Sequence, residues 1–107
     1  MGSVRGILTF DNGFALRVVE QLDFRTERIE YYSYTVEKDG ERLYWYDPQP
    51  HPNVPSLQST HPHHKHVPPD IKHNRIPAPG LSFTQINLPF LIQEIEDLIA
   101  TDQSAID

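Results

Sequence analysis

Six histidines lie between Trp45 and Arg75, and they are the side chains with the most chemistry to offer: His51, His61, His63, His64, His66 and His73. Imidazole has an ordinary pKa near neutrality, so it moves protons or ligates metals under cellular conditions. Seven of the chain's ten prolines share the segment (Pro48, Pro50, Pro52, Pro55, Pro62, Pro68 and Pro69). Proline fixes φ and removes a donor, so such a segment can be ordered without being helix or sheet. The expectation is a stiffened site loop over 48–80.

Within it, His61-Pro62-His63-His64-Lys65-His66 contains two His-x-His pairs, 61/63 and 64/66. In extended backbone, residues two apart share a side, so each pair can converge on one point. Two chemistries follow. Imidazoles beside Lys65 can cleave a phosphodiester without a metal, one taking the 2′-hydroxyl proton and another protonating the leaving oxygen. The candidate catalytic set is His63, His64, Lys65 and His66, supported by His51 and Asp47. Asp47 would orient an imidazole tautomer or cap the end of a strand. Alternatively, His61, His63, His64 and His66 could ligate Zn²⁺ or Ni²⁺, with His51 or Asp47 completing the shell. An exposed histidine-rich loop with chance metal affinity has the same composition, and composition leaves all three readings open.

The net charge of −6 argues against a protein that coats polyanions with its whole surface. The charge is unevenly spread, however: from His51 to Phe90, Lys65, Lys72 and Arg75 face Asp70 as the only acid. Tyr46, Lys72 and Arg75 are candidate substrate-binding residues. For Lys72 and Arg75 the plainer reading is ordinary solvated loop. With no cysteine, disulfides are excluded and any metal must use His and carboxylate ligands. No apolar run reaches the length of a membrane span or signal h-region, so a cytoplasmic protein without a membrane partner is expected.

The flanking segments must position these residues. Residues 4–47 read as an antiparallel meander. Asp11-Asn12-Gly13 and Asp39-Gly40 supply residues tolerant of positive φ at two hairpin turns. Phe14, Leu16, Val18 and Leu22 fall on one strand face, and Tyr32, Tyr34 and Val36 alternate with Tyr31, Ser33 and Thr35. The tyrosines and Trp45 are either packing or a platform for unpaired bases. Leu88, Leu91, Ile92, Ile95, Leu98 and Ile99 form one helical stripe, with Asn87 as N-cap, Glu94, Glu96 and Asp97 turned away, and fraying from Thr101. The prediction is an α+β fold of 107 residues in a single domain. It has a four-stranded antiparallel meander sheet over 1–47, the His/Pro-rich loop over 48–80, and a C-terminal amphipathic helix within 81–101 packed on the sheet.

Tyr32-Ser33-Tyr34, Leu43-Tyr44-Trp45-Tyr46-Asp47, Pro50-His51-Pro52 and Pro62-His63-His64-Lys65-His66, read with the Gly6-to-Glu20 hairpin, resemble the TumE-like toxins of toxin–antitoxin modules. That family's pattern runs roughly Y-x-Y-H, R-Y-D-N-A-P-H-H-P, then F-P-H-H-K-H. Here Thr35 replaces a histidine, Trp45 an arginine, Pro48-Gln49 an Asn-Ala, and Pro52 a histidine. The resemblance implies a toxin neutralised by a cognate antitoxin and acting on RNA, with a homodimer compatible. The ribonuclease step itself comes from the histidines.

Overall fold

Local sequence chemistry accounts for the first half of the fold. In the computed structural model, which describes residues 1–106 and side chains through 102, β1 (Gly2–Thr9) and β2 (Phe14–Asp23) form the first hairpin. A short 3-10 turn at Asp11–Gly13 joins them, with Asn12 and Gly13 at φ 62° and 79°. β3 (Arg28–Lys38) and β4 (Glu41–Asp47) are joined by Asp39 and Gly40, both at positive φ, as a two-residue hairpin turn demands.

The sheet does not stop at four strands. β5 (His64–His66) pairs antiparallel with β4, and β6 (Arg75–Pro77) pairs with β5, giving a six-stranded antiparallel sheet in sequence order. The expected four-stranded sheet and strand-free loop are thus corrected. The outer edge of β4 presents unpaired backbone groups, and the histidine segment satisfies them despite its prolines. Between β4 and β5, a 3-10 turn at Pro55–Thr60 buries Leu57.

One face of the sheet is covered by α1 (Leu88–Ile106). Leu91 and Ile95 are fully buried against Leu16, Val18, Tyr32, Tyr34, Val36, Tyr44 and Tyr46, and Leu88, Leu98 and Ile99 pack at the margin. Three details of the helix differ from expectation. Asn87 stands at the N-cap position, its backbone carbonyl accepting the Leu91 N–H (3.3 Å). Its side chain, however, turns into the core, donating to the Tyr34 hydroxyl (3.0 Å) and the Ser82 carbonyl (2.9 Å). Glu94 turns toward the sheet, where it accepts the Tyr46 hydroxyl (2.8 Å). The helix continues through Thr101 to Ile106 instead of fraying, while Asp107 lies outside the described residues. Both carboxamide and carboxylate serve buried tyrosine hydroxyls, which must be hydrogen-bonded. No helix among the described residues is long and apolar enough to cross a membrane.

Candidate functional site

Strand register decides which predicted residues meet. Asp47 stands directly opposite His64, and Trp45 opposite His66, so all four project from the sheet face that α1 leaves uncovered. His64 and His66 are 1% and 5% exposed, and Asp47 is nearly as buried. The His64 Nε2 atom lies 3.0 Å from Asp47 Oδ1, and His66 Nε2 lies 3.1 Å from Asp47 Oδ2. The two Nε2 atoms are themselves 3.1 Å apart.

Each group is held from behind. His64 Nδ1 is 3.1 Å from the Pro62 carbonyl, and His66 Nδ1 is 3.0 Å from the Ile71 carbonyl. A carbonyl only accepts, so both rings donate from Nδ1, and in their neutral form they turn bare Nε2 lone pairs inward. Asp47 Oδ1 accepts the Gln49 backbone N–H (3.0 Å), and Oδ2 accepts the Trp45 indole N–H (3.0 Å). Burial alone would raise the Asp47 carboxyl, but His64 when protonated and the Gln49 and Trp45 N–H donors hold it well below the usual carboxylate range. Burial and the neighbouring His64 push His66 down, outweighing the pull of Asp47, so its ring favours the neutral form. Trp45 stacks on His66 with centroids 4.0 Å apart, and the Arg42 guanidinium lies over the Trp45 ring, 4.9 Å from its centroid.

His51 sits edge-on to His64, centroids 4.9 Å apart, and is only half-buried. Its pKa is lowered first by burial, then by the nearby Arg75 charge. Arg75 pairs in register with His66, and its buried Nε has no hydrogen-bond partner among the described residues. Both residues therefore border the cluster.

The other candidates lie elsewhere. His63 and Lys65 project from the opposite face of the same short strand segment. His63 Nδ1 is 2.5 Å from the Tyr32 hydroxyl, and burial pushes its pKa down. Lys65 lies 4.0 Å over the Tyr44 ring and 3.8 Å from Glu94. Tyr46 is buried under α1. His61 and Lys72 are exposed, and His73 pairs with Asp70 at 2.9 Å on the surface. The sequence reading thus missed the division of His63-His64-Lys65-His66 between two faces. It also missed Trp45 as the group that braces both Asp47 and His66, although an i, i+2 spacing on a strand puts Trp45 and Asp47 on one side. A separate apolar groove, lined by Leu22, Phe24, Ile29, Phe83, Ile86 and Leu88 among others, holds no histidine.

A family model described as Toxin TumE matches residues 1–99. The chain belongs to that family. No curated protein and no solved structure matches it. The matched span contains every strand and the whole Asp47–His64–His66 cluster of this TumE-family chain.

Proposed function

We propose that the chain is the toxin of a toxin–antitoxin module, silenced by a cognate antitoxin, and that it cleaves RNA on its uncovered sheet face. Family membership supports the toxin reading. The observation that carries the RNA reading is the composition of that face. Arg5, Arg17 and Arg42 rise from three strands leading to the Asp47–His64–His66 cluster, with His51 and Arg75 at its border. Of these, Arg17 is tied to Glu37. The acids Glu94, Glu96, Asp97 and Asp102 sit on the helix that covers the other face. A chain of net charge −6 can therefore offer phosphate a locally basic track.

In this reading His51 takes the 2′-hydroxyl proton as that oxygen bonds phosphorus. The P–O5′ bond breaks, and the departing 5′-oxygen takes a proton from solvent. His51 is the half-exposed ring at the cluster, and burial and the Arg75 charge disfavour its protonated form. Arg75, with an N–H left unused, stabilises the charge that gathers on phosphorus. Asp47, His64 and His66 form the rigid centre against which both are placed.

Purified protein incubated with RNA tests the proposal, alongside expression in cells with and without the antitoxin. Cleavage and growth arrest that disappear in His51→Ala and Arg75→Gln, with the fold retained by circular dichroism, are expected. RNA left intact by the wild-type chain, or cut equally by both variants, overturns it.

A further inference from the structure

With both rings neutral, three electron-pair donors converge in the cluster. With both Nδ1 protons committed to the Pro62 and Ile71 carbonyls, His64 Nε2 and His66 Nε2 face each other at 3.1 Å and face a carboxylate at 3.0 and 3.1 Å. Acceptors in such contact repel unless a cation lies among them. Donors bound about 2.0–2.1 Å from one ion stand roughly 2.8–3.4 Å from each other, from octahedral to tetrahedral shells. The observed spacings fall in that range. The outer bonds also fit. Histidine ligands typically give their second N–H to a carbonyl or carboxylate, and a ligating carboxylate is itself hydrogen-bonded. Both imidazoles meet a carbonyl here, and both Asp47 oxygens meet an N–H donor.

We infer that Asp47, His64 and His66 bind one divalent first-row transition-metal ion, of the class that Zn²⁺ and Ni²⁺ represent. Two imidazoles and one carboxylate favour these ions over Mg²⁺ or Ca²⁺, which take oxygen shells. Three protein ligands leave at least one coordination position open. His61 and His63, the other members of the sequence-level ligand set, are outside the shell: one is exposed and the other is bound to Tyr32. The inference rests on the cluster's own geometry and stands or falls separately from RNA cleavage.

The chain carries its own reporter. Its single tryptophan, Trp45, stacks on one proposed ligand and donates to another. The experiment uses tag-free full-length protein stripped with chelator, then titrated with ZnCl₂, with NiCl₂, and with MgCl₂ as control. One equivalent of Zn²⁺ or Ni²⁺ should change Trp45 fluorescence to a sharp endpoint, with no response to Mg²⁺. His66→Gln should weaken affinity by more than the ~10–100-fold that loss of an outer hydrogen-bond partner costs. His61→Ala and His73→Ala should leave it unchanged. Should His66→Gln fail to fold, ¹⁵N spectra of the wild-type imidazoles decide: Zn²⁺ should move two Nε2 resonances while their rings keep Nδ1–H. A wild-type chain that shows no stoichiometric endpoint, or one whose binding follows His61 and His73, overturns the inference, whether or not it cuts RNA.

Discussion

The two faces of the sheet use polar groups in opposite ways. On the face under α1, each of three buried tyrosine hydroxyls has a partner: Tyr32 meets His63, Tyr34 meets Glu20 and Asn87, and Tyr46 meets Glu94. In these three contacts donors meet acceptors and serve the fold, whereas the buried Tyr44 hydroxyl has no hydrogen-bond partner among the described residues. On the uncovered face, acceptors meet acceptors at Asp47, His64 and His66, while Arg75 keeps an unused N–H. Acceptors crowded together at a rigid, buried cluster repel unless a proton or another cation lies among them. Two halves of one short strand thus have different duties: His63 and Lys65 help close the core, and His64 and His66 form the centre.

That contrast can be broken most sharply at His51. If it is the proton acceptor, His51→Ala should lower RNA cleavage by about 10²–10⁴-fold while leaving the melting temperature near wild type. His63→Ala, on the other face, should act through stability instead. Steady-state cleavage rates read beside thermal unfolding separate the two effects.

The covered face should answer in stability alone. Ile95→Ala empties a fully buried site and should cost about 2–5 kcal/mol in denaturant unfolding. Activity per folded molecule should be retained.

Alkali should also single out the covered face. Burial raises the pKa of Tyr32, Tyr34, Tyr44 and Tyr46, and Glu20 or Glu94 raises three of them further. A pKa raised above its unfolded value of about 10 gives stability that is present below pH 10 and lost as pH rises beyond it. Unfolding free energy should therefore fall above roughly pH 10, and Tyr46→Phe should flatten that fall.

Arginine on the open face should act on RNA binding without touching the core. Arg5→Gln with Arg42→Gln should reduce the slope of log affinity against log salt by about 0.7 for each charge that contacts phosphate. Fluorescence anisotropy with a labelled single strand measures it. His73→Ala, at the exposed pair with Asp70, should change stability by less than about 0.5 kcal/mol.

Much of this architecture was legible along the chain. Alternation at Tyr32, Tyr34 and Val36, positive-φ residues at Asn12-Gly13 and Asp39-Gly40, and the stripe from Leu88 to Ile99 are local signals. They depend on periods and turns that a few neighbouring residues specify. The convergence of His64 and His66 followed from the same period, because they stand two apart on an extended segment. Glu94 escaped the helical pattern for a physical reason: its partner Tyr46 is remote in sequence, and a buried hydroxyl captured a residue that periodicity alone assigns to solvent.

What the sequence by itself determined is therefore the β1–β4 meander, the apolar helix and the histidine-rich segment from which the centre is drawn. Tertiary structure alone decided which residues share that centre. β5 and β6 are three residues long, too short to declare themselves, and exist because the edge of β4 offers them hydrogen bonds. The register of that pairing sets Asp47 against His64 and sends Lys65 behind the sheet. A slip of one residue would exchange the two sets, and only the packed fold supplies the energy that forbids it.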